Sequence, residues 1–316
     1  MISFVGAGPG APDLITVRGA ARLAAADVVV WASSLVPEAV LDHCRAGVEL
    51  HDSATMTLED VLAVYAAHAE ATPIVRLHSG DPALYGAIAE QMDWCLAQQR
   101  SFEVVPGVSS VAAAAAALAR ELTVPGVSQS VVLTRLSGRT AASMPPGARG
   151  TGGVPPTTAA GAAKEGVAAF APHGATMAVF LSAARPDELV TELLAPGSGY
   201  GPDTPAAVVV RASWPDETVV RTTVGRLADD LRATGATMTA LVLVGEALAD
   251  GPVRRRSHLY EPGYTTAYRL RSAAGSTEGR PSARRLHDLP SAERRSGGPS
   301  VDGWSQDPPG KGVWDR

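Results

Sequence analysis

Cysteine is scarce in this sequence: its 316 residues include only Cys44 and Cys95. A single pair excludes the small cysteine-rich folds that disulfides hold together, and its spacing matches neither a zinc site nor a redox motif. The seven histidines are scattered, without the spacing that metal ligands need. We therefore expect two reduced thiols and no metal site.

Long hydrophobic runs are also missing, since no stretch is long and charge-free enough to span a bilayer. Met1 leads straight into an apolar run instead of the basic segment that begins a signal peptide. Neither sign of charge dominates, and the formal net charge of −5 argues against a nucleic-acid partner. We expect a cytoplasmic protein with neither a nucleic-acid nor a membrane partner.

The composition, 46% hydrophobic and 19% charged, is that of a globular protein, and the length corresponds to about two domains. In the first third of the chain, helical patterns such as that of residues 84–99 alternate with apolar runs at residues 2–5, 28–31, 48–51, 74–77 and 102–105. This alternation is typical of a parallel sheet covered by helices. Later apolar runs include a pair joined by a predicted hairpin turn at residues 214–217, which indicates a mixed sheet.

These patterns predict an α/β fold class with two α/β domains. Residues 1–124 form the N-terminal domain with a mostly parallel sheet, and residues 125–269 form the C-terminal domain with a mixed sheet. Residues 143–169 have almost no large apolar side chains, so we expect a mobile insertion there. Residues 270–316 are rich in Ser, Gly, Arg and Pro, which predicts a disordered tail.

A glycine-rich loop, Gly6-Ala7-Gly8-Pro9-Gly10, follows the first predicted strand. Its glycines allow a ligand to approach the backbone closely, and they also match the G-x-G-x-x-G/A pattern of dinucleotide sites. That alternative requires a helix to open on the loop and an acidic residue at the end of the next strand. Pro12 disfavours the helix, and the next strand ends in Ala32-Ser33-Ser34 without a carboxylate. A tight turn without a ligand is the other alternative.

Three more loops follow predicted strands, at the sheet edge where open α/β folds bind ligands. They begin at His78, Pro106 and Thr134. Each loop by itself is also compatible with an ordinary turn. Asp81-Pro82 by itself predicts the N-terminus of a helix, with Asp81 as the cap.

Together the loops make the chain resemble the tetrapyrrole methyltransferase family, over about residues 2–269. The resemblance is carried by Val5-Gly6-Ala7-Gly8-Pro9-Gly10, Ala26-Asp27-Val28-Val29, Gly80-Asp81-Pro82 with Tyr85-Gly86, and Val105-Pro106-Gly107-Val108-Ser109. Within the family, the branch that methylates precorrin-4 at C-11 is the most similar. Its motifs are matched by Ser34-Leu35-Val36-Pro37, His78-Ser79, residues 133–140, residues 211–217 and Ser257-His258-Leu259-Tyr260.

The resemblance implies a homodimeric enzyme that transfers the methyl group of S-adenosylmethionine to precorrin-4, an anionic tetrapyrrole, and gives precorrin-5. It also implies an active-site cleft between the two α/β domains. Carried over by position, the cofactor contacts are Pro9, Ser79, Gly80, Asp81, Leu84, Ser109, Ser110, Leu181, Ala212 and Ala240. No residue is identified as a catalytic base.

The acetate and propionate groups of such a substrate suit arginine, which binds carboxylates bidentately. We expect Arg135 and Arg139, and then Arg211, to bind the substrate, although each could instead be a surface residue or a structural ion-pair partner. Alternatives within the family are a C-17 or C-20 methylase, a diphthine synthase, or the enzyme for cobalt-precorrin-4. A non-catalytic module that binds a tetrapyrrole or a nucleotide is the alternative of a different class.

Overall fold

The computed structural model describes residues 1–136, 165–251, 257–267 and 269–272. The chain divides into two compact units, Met1–Pro252 and Val253–Arg316. In the second unit the described residues contain the short 3-10 helix His258–Tyr260. The predicted tail at 270–316 lies outside the described residues from 273 onward, and so does the predicted insertion from 143 to 164.

The first sheet has five strands, and every neighbouring pair is parallel, as the alternating pattern predicts. Its order is β3-β2-β4-β1-β5, which places the N-terminal strand beside both β4 and β5. The strands are β1 Ile2–Gly6, β2 Val28–Trp31, β3 Glu49–Asp52, β4 Ile74–His78 and β5 Phe102–Val105. Buried clusters cover both faces of this sheet, as parallel sheets require.

Four helices belong to this half: α1 Val17–Ala25, α2 Leu58–Ala67, α3 Ala89–Ala97 and α4 Ser110–Ala117. Side chains fix where three of them begin. The Ser109 hydroxyl accepts the Val111 N–H at 3.2 Å at the start of α4. Thr16 accepts a hydrogen bond from the Gly19 N–H at 3.1 Å, and Thr57 and Asp60 form a capping box. A 3-10 helix, Glu38–His43, lies between β2 and β3.

The second sheet has the order β6-β7-β10-β8-β9 and is mixed, as predicted. β6 and β7 are parallel, whereas the other three pairs are antiparallel. Its strands are β6 Val131–Arg135, β7 Thr176–Phe180, β8 Pro205–Val210, β9 Thr218–Thr223 and β10 Ala240–Val244. Its helices are α5 Val167–Phe170, α6 Pro186–Leu193 and α7 Leu227–Ala233.

Helix α4 follows the first sheet in the chain but packs on the second. Val111 and Ala114 belong to a buried cluster with Ala207 and Leu243 of the second sheet. Because α4 is almost entirely alanine and valine, it lies close to that sheet. The two halves of Met1–Pro252 thus share a core, and the predicted boundary after residue 124 stays a prediction.

Two predicted segments differ from the structure. The helix predicted at residues 84–99 begins only at Ala89, because Tyr85 and Ala87 have φ of 58° and 49°, which no α-helix accommodates. The predicted mobile segment at 143–169 extends too far, since Val167 is fully buried in α5. A few apolar residues at its end are enough to join a core.

No helix among the described residues is both long and apolar enough to cross a membrane.

Candidate active site

Three glycines lie against one another where β1, β4 and β5 end. A Cβ on Gly6 would lie 2.5 Å from the Gly107 Cα, and one on Gly107 would overlap the Gly80 carbonyl oxygen. The Gly80 N–H donates to the Gly8 carbonyl at 2.8 Å, which joins the first loop to the β4 loop. The glycine loop therefore packs on its neighbouring loops. A short 3-10 helix, Pro12–Leu14, follows it, and the first α-helix, α1, begins only at Val17. This is not the helix-opening geometry that a dinucleotide site requires.

Asp81 connects the β4 loop to the β5 loop. Its Oδ1 accepts the Ala83 N–H at 2.8 Å, and its Oδ2 accepts the Gly107 N–H at 3.0 Å. The prediction that Asp81 caps a helix is wrong, because α3 begins eight residues later and Asp81 instead closes a turn with the Leu84 N–H. A carboxylate accepts about four hydrogen bonds, so Asp81 retains acceptor capacity toward a ligand.

A cavity of about 330 Å³ lies beside these loops, between the carboxyl edge of the first sheet and the second sheet. All ten predicted cofactor contacts line it: Pro9, Ser79, Gly80, Asp81, Leu84, Ser109, Ser110, Leu181, Ala212 and Ala240. These residues come from six separate stretches of the chain. Their shared location is a property of the fold, and their role as cofactor contacts stays a prediction.

On the side of the second sheet, the loop after β8 closes the cavity and forms hydrogen bonds to the glycine loop. The Trp214 Nε1–H donates to the Pro9 carbonyl at 3.0 Å, and the Ser213 hydroxyl accepts the Ala11 N–H at 3.0 Å. A Cβ on Gly10 would overlap the Trp214 indole. These contacts fix the distance between the two walls at this end of the cavity.

Of the three predicted substrate-binding arginines, Arg211 lines the cavity but already has partners. Its guanidinium lies 4.1 Å from the Trp214 ring centroid. Its Nε is 2.8 Å from Asp216 Oδ1, an ion pair whose N–H is not aligned for a hydrogen bond. This geometry favours the structural role that the sequence left open for Arg211.

Arg135 ends β6, opposite Phe180 of β7, and its side chain is exposed. No acidic side chain within the described part of the chain pairs with it. Burial raises the pKa of the Tyr85 phenol, and the charge of Arg135 partly opposes that shift, so Arg135 lies near a residue of the cavity wall. Arg139 lies outside the described residues.

His78 directly precedes the β4 loop but is not part of the cavity wall. It is 7% exposed, and its Nε2 has no hydrogen-bond partner among the described residues. Burial, with a smaller contribution from the charge of Arg76, lowers its pKa to about 3. His78 is therefore neutral at physiological pH and belongs to the core.

Sequence reasoning missed several cavity-lining side chains: Leu35, Tyr85, Phe180, Trp214 and Met238. Leu35, Tyr85 and Trp214 lie within motifs that the sequence analysis quoted, so a signal for them existed. Phe180 is only partly buried, because it ends β7 at the cavity.

Among the described residues, no group of three or more His, Cys, Asp or Glu is arranged to hold a metal ion. Polar atoms of the cavity come mainly from serine, threonine and the backbone, with Asp81 and Arg211 as the charged groups. Such a wall suits an organic ligand with both apolar and hydrogen-bonding parts.

Comparison with known proteins gives consistent results. The family model of tetrapyrrole (corrin/porphyrin) methylases matches residues 1–228. A precorrin-4 C(11)-methyltransferase from Rhodococcus erythropolis is 45% identical over 249 residues, which are 78% of this chain and 92% of that protein.

Two solved structures extend the comparison. A cobalt precorrin-4 methyltransferase is 40% identical, with a TM-score of 0.69, and the match covers 79% of this chain and 96% of that one. A uroporphyrin-III C-methyltransferase from Thermus thermophilus, complexed with S-adenosyl homocysteine, is 26% identical, with a TM-score of 0.58 and coverage of 78% and 92%.

Proposed function

Because this chain belongs to the tetrapyrrole (corrin/porphyrin) methylase family, we propose that it transfers the methyl group of S-adenosylmethionine to C-11 of precorrin-4, giving precorrin-5. The observation that carries the proposal is the shared location of all ten predicted cofactor contacts around one cavity. The 45% identity to a precorrin-4 C(11)-methyltransferase supports the acceptor and the position.

The cavity fits S-adenosylmethionine in size and in chemistry. About 330 Å³ lies within the range of small-molecule sites. Of the three crowded glycines, Gly80 lines the cavity, and the absence of a side chain there lets a ligand approach the backbone closely. The wall also offers apolar surface from Leu84, Leu181 and Ala240 for the less polar parts of the cofactor.

When bound, S-adenosylmethionine supplies a methyl group that its sulfonium already activates. The protein's task is then to hold donor and acceptor in line and to exclude water, which is an orientation effect. The β1, β4 and β5 loops do this on one side, where Asp81 ties two of them together. The loop after β8 does it on the other side, through Trp214 and Ser213.

On the acceptor side we assign carboxylate binding first to Arg135. Its side chain is exposed, it has no acidic partner in the described ranges, and its charge reaches Tyr85 in the cavity wall. A guanidinium in this situation is available to an acetate or propionate group of a tetrapyrrole. We assign carboxylate binding second to Arg139. Arg211 is the weakest of the three, because Asp216 and Trp214 already hold its guanidinium.

The main alternative concerns cobalt, since one relative is named for precorrin-4 and a solved neighbour for cobalt precorrin-4. Parallel incubations with S-adenosylmethionine and each acceptor, followed by mass spectrometry, separate the two. We expect a product heavier by one methyl group with precorrin-4. If neither acceptor is methylated, the proposal is contradicted. Binding of the ligands without methyl transfer would indicate a non-catalytic module.

We also propose that the enzyme works as a homodimer, which the family resemblance implies, and that it is located in the cytoplasm. Sedimentation of the purified protein tests the dimer, and fractionation of cells tests the location.

A further inference from the structure

Backbone strain is concentrated around the cavity. Eight non-glycine residues of the described chain have positive φ, and four of them line the cavity: Tyr85, Leu181, Arg211 and Thr239. The left-handed region is unfavourable for any residue with a Cβ. Strain of this kind persists where the surrounding structure enforces it, and it clusters at functional sites.

Tyr85 is the bulkiest apolar example, with a φ of 58°. It stands in a sharp turn, because the following Gly86 packs so closely on Pro82 that a Cβ would overlap the Pro82 carbonyl oxygen. The turn does not bury the Tyr85 side chain, which remains 46% exposed. Core packing therefore does not explain why a tyrosine is held in this backbone conformation.

The ring of Tyr85 bridges the two sides of the cavity. Its centroid is 4.9 Å from that of Phe180, at an interplanar angle of 53°. Leu181, the residue that follows β7, is 64% exposed and also lines the cavity. Together the three side chains form an accessible apolar wall, and the positive charge of Arg135 lies close to its tyrosine end.

We propose that Tyr85 is an acceptor-binding residue whose ring, backed by Phe180, supports one face of the tetrapyrrole macrocycle. A large ring system with carboxylates at its edge matches an aromatic wall flanked by an arginine. The inference rests on the proposed function and adds to it a residue that the cofactor contacts do not include. The competing explanation is that Tyr85 only fills space between the two sheets.

The decisive variant is Tyr85→Gly, which removes the ring and relieves the strain, because glycine adopts positive φ freely. We expect precorrin-4 affinity to fall about tenfold or more, the loss of one good aromatic contact. We expect the affinity for S-adenosylmethionine to change less than about threefold. The melting temperature should stay at or above that of Tyr85→Ala. Tyr85→Asn serves as a second variant, since asparagine also tolerates this backbone.

Two further variants provide controls. Tyr85→Phe keeps the ring, so precorrin-4 affinity should stay within about threefold of wild type. Ala87→Gly relieves similar strain, a φ of 49°, in the same turn at a residue that does not line the cavity. It should raise the melting temperature and leave precorrin-4 affinity unchanged.

Wild-type precorrin-4 affinity in Tyr85→Gly and Tyr85→Asn would overturn the inference and leave the packing role. In that case the proposed function would still stand, because the wild type and both variants would methylate precorrin-4. A wild-type protein that binds S-adenosylmethionine but neither binds nor methylates precorrin-4 would overturn both.

Discussion

At the residue scale, Asp81 shows how one carboxylate organises two loops. Both of its oxygens accept backbone N–H groups, from Ala83 and from Gly107. Asp81→Ala leaves these donors without their charged acceptor, which should cost about 1.5–3 kcal/mol of stability. The Gly107 loop also leads to Ser109 and Ser110 of the cavity wall, so S-adenosylmethionine affinity should fall as well.

Chemical denaturation and calorimetric titration of Asp81→Ala check both effects. Asp93→Ala is the matched control, because Asp93 is an exposed carboxylate on α3 outside the cavity wall. If Asp81→Ala loses stability but keeps wild-type cofactor affinity, the β5 loop does not need Asp81 to shape the cavity.

The arginines give a second prediction at this scale, because Arg135 and Arg211 differ in their partners. Arg135→Ala should weaken precorrin-4 binding roughly ten- to a hundredfold, the loss of one charge-assisted contact, and barely affect S-adenosylmethionine. Arg135→Lys should recover part of the affinity, since a point charge cannot replace the planar fork.

Arg211→Ala should behave differently and lower stability, since it removes the stacking on Trp214 and the pairing with Asp216. Titration of each variant with each ligand tests the contrast. If Arg135→Ala loses affinity for S-adenosylmethionine but keeps full affinity for precorrin-4, the assignment of Arg135 to the acceptor is contradicted.

At the element scale, the loop after β8 holds the glycine loop across the cavity. Trp214→Phe removes the hydrogen bond to Pro9 but keeps an aromatic ring beside Gly10, so it should cost about 0.5–1.5 kcal/mol of stability. Because Pro9 and Trp214 both line the cavity, S-adenosylmethionine affinity should fall too.

Trp94→Phe is the control for this loop, since Trp94 packs on Tyr65 in a cluster away from the cavity. It should change stability without changing cofactor affinity. Equal cofactor affinity in Trp214→Phe and wild type would show that the loop braces the fold but does not shape the site.

The elements also show how far sequence reasoning reaches. Most strands of the two sheets were predictable, because they are short apolar runs, which carry a local signal. The late start of α3 could not be predicted, because the turn at Tyr85 depends on the close approach of Gly86 to Pro82. The contact between Trp214 and Pro9 joins residues 205 positions apart. Local patterns carry no information about such a pairing; the resemblance placed Pro9 at the site, and the structure added Trp214.

At the scale of the whole molecule, the account depends on the two sheets together. The first sheet supplies the glycine, Asp81 and Ser109 loops, and the second supplies Leu181, Ala212 and Ala240. Neither half alone forms the cavity, so methyl transfer requires the intact unit Met1–Pro252. The central claim is that this cavity directs the methyl group to one carbon of one acceptor.

The most direct test is to incubate the enzyme with precorrin-4 and S-adenosylmethionine carrying a ¹³C-labelled methyl group, and to locate the label by NMR. The account predicts one new labelled methyl group, bonded to C-11. A label at C-17 or C-20, or no transfer from a cofactor that binds, would contradict it.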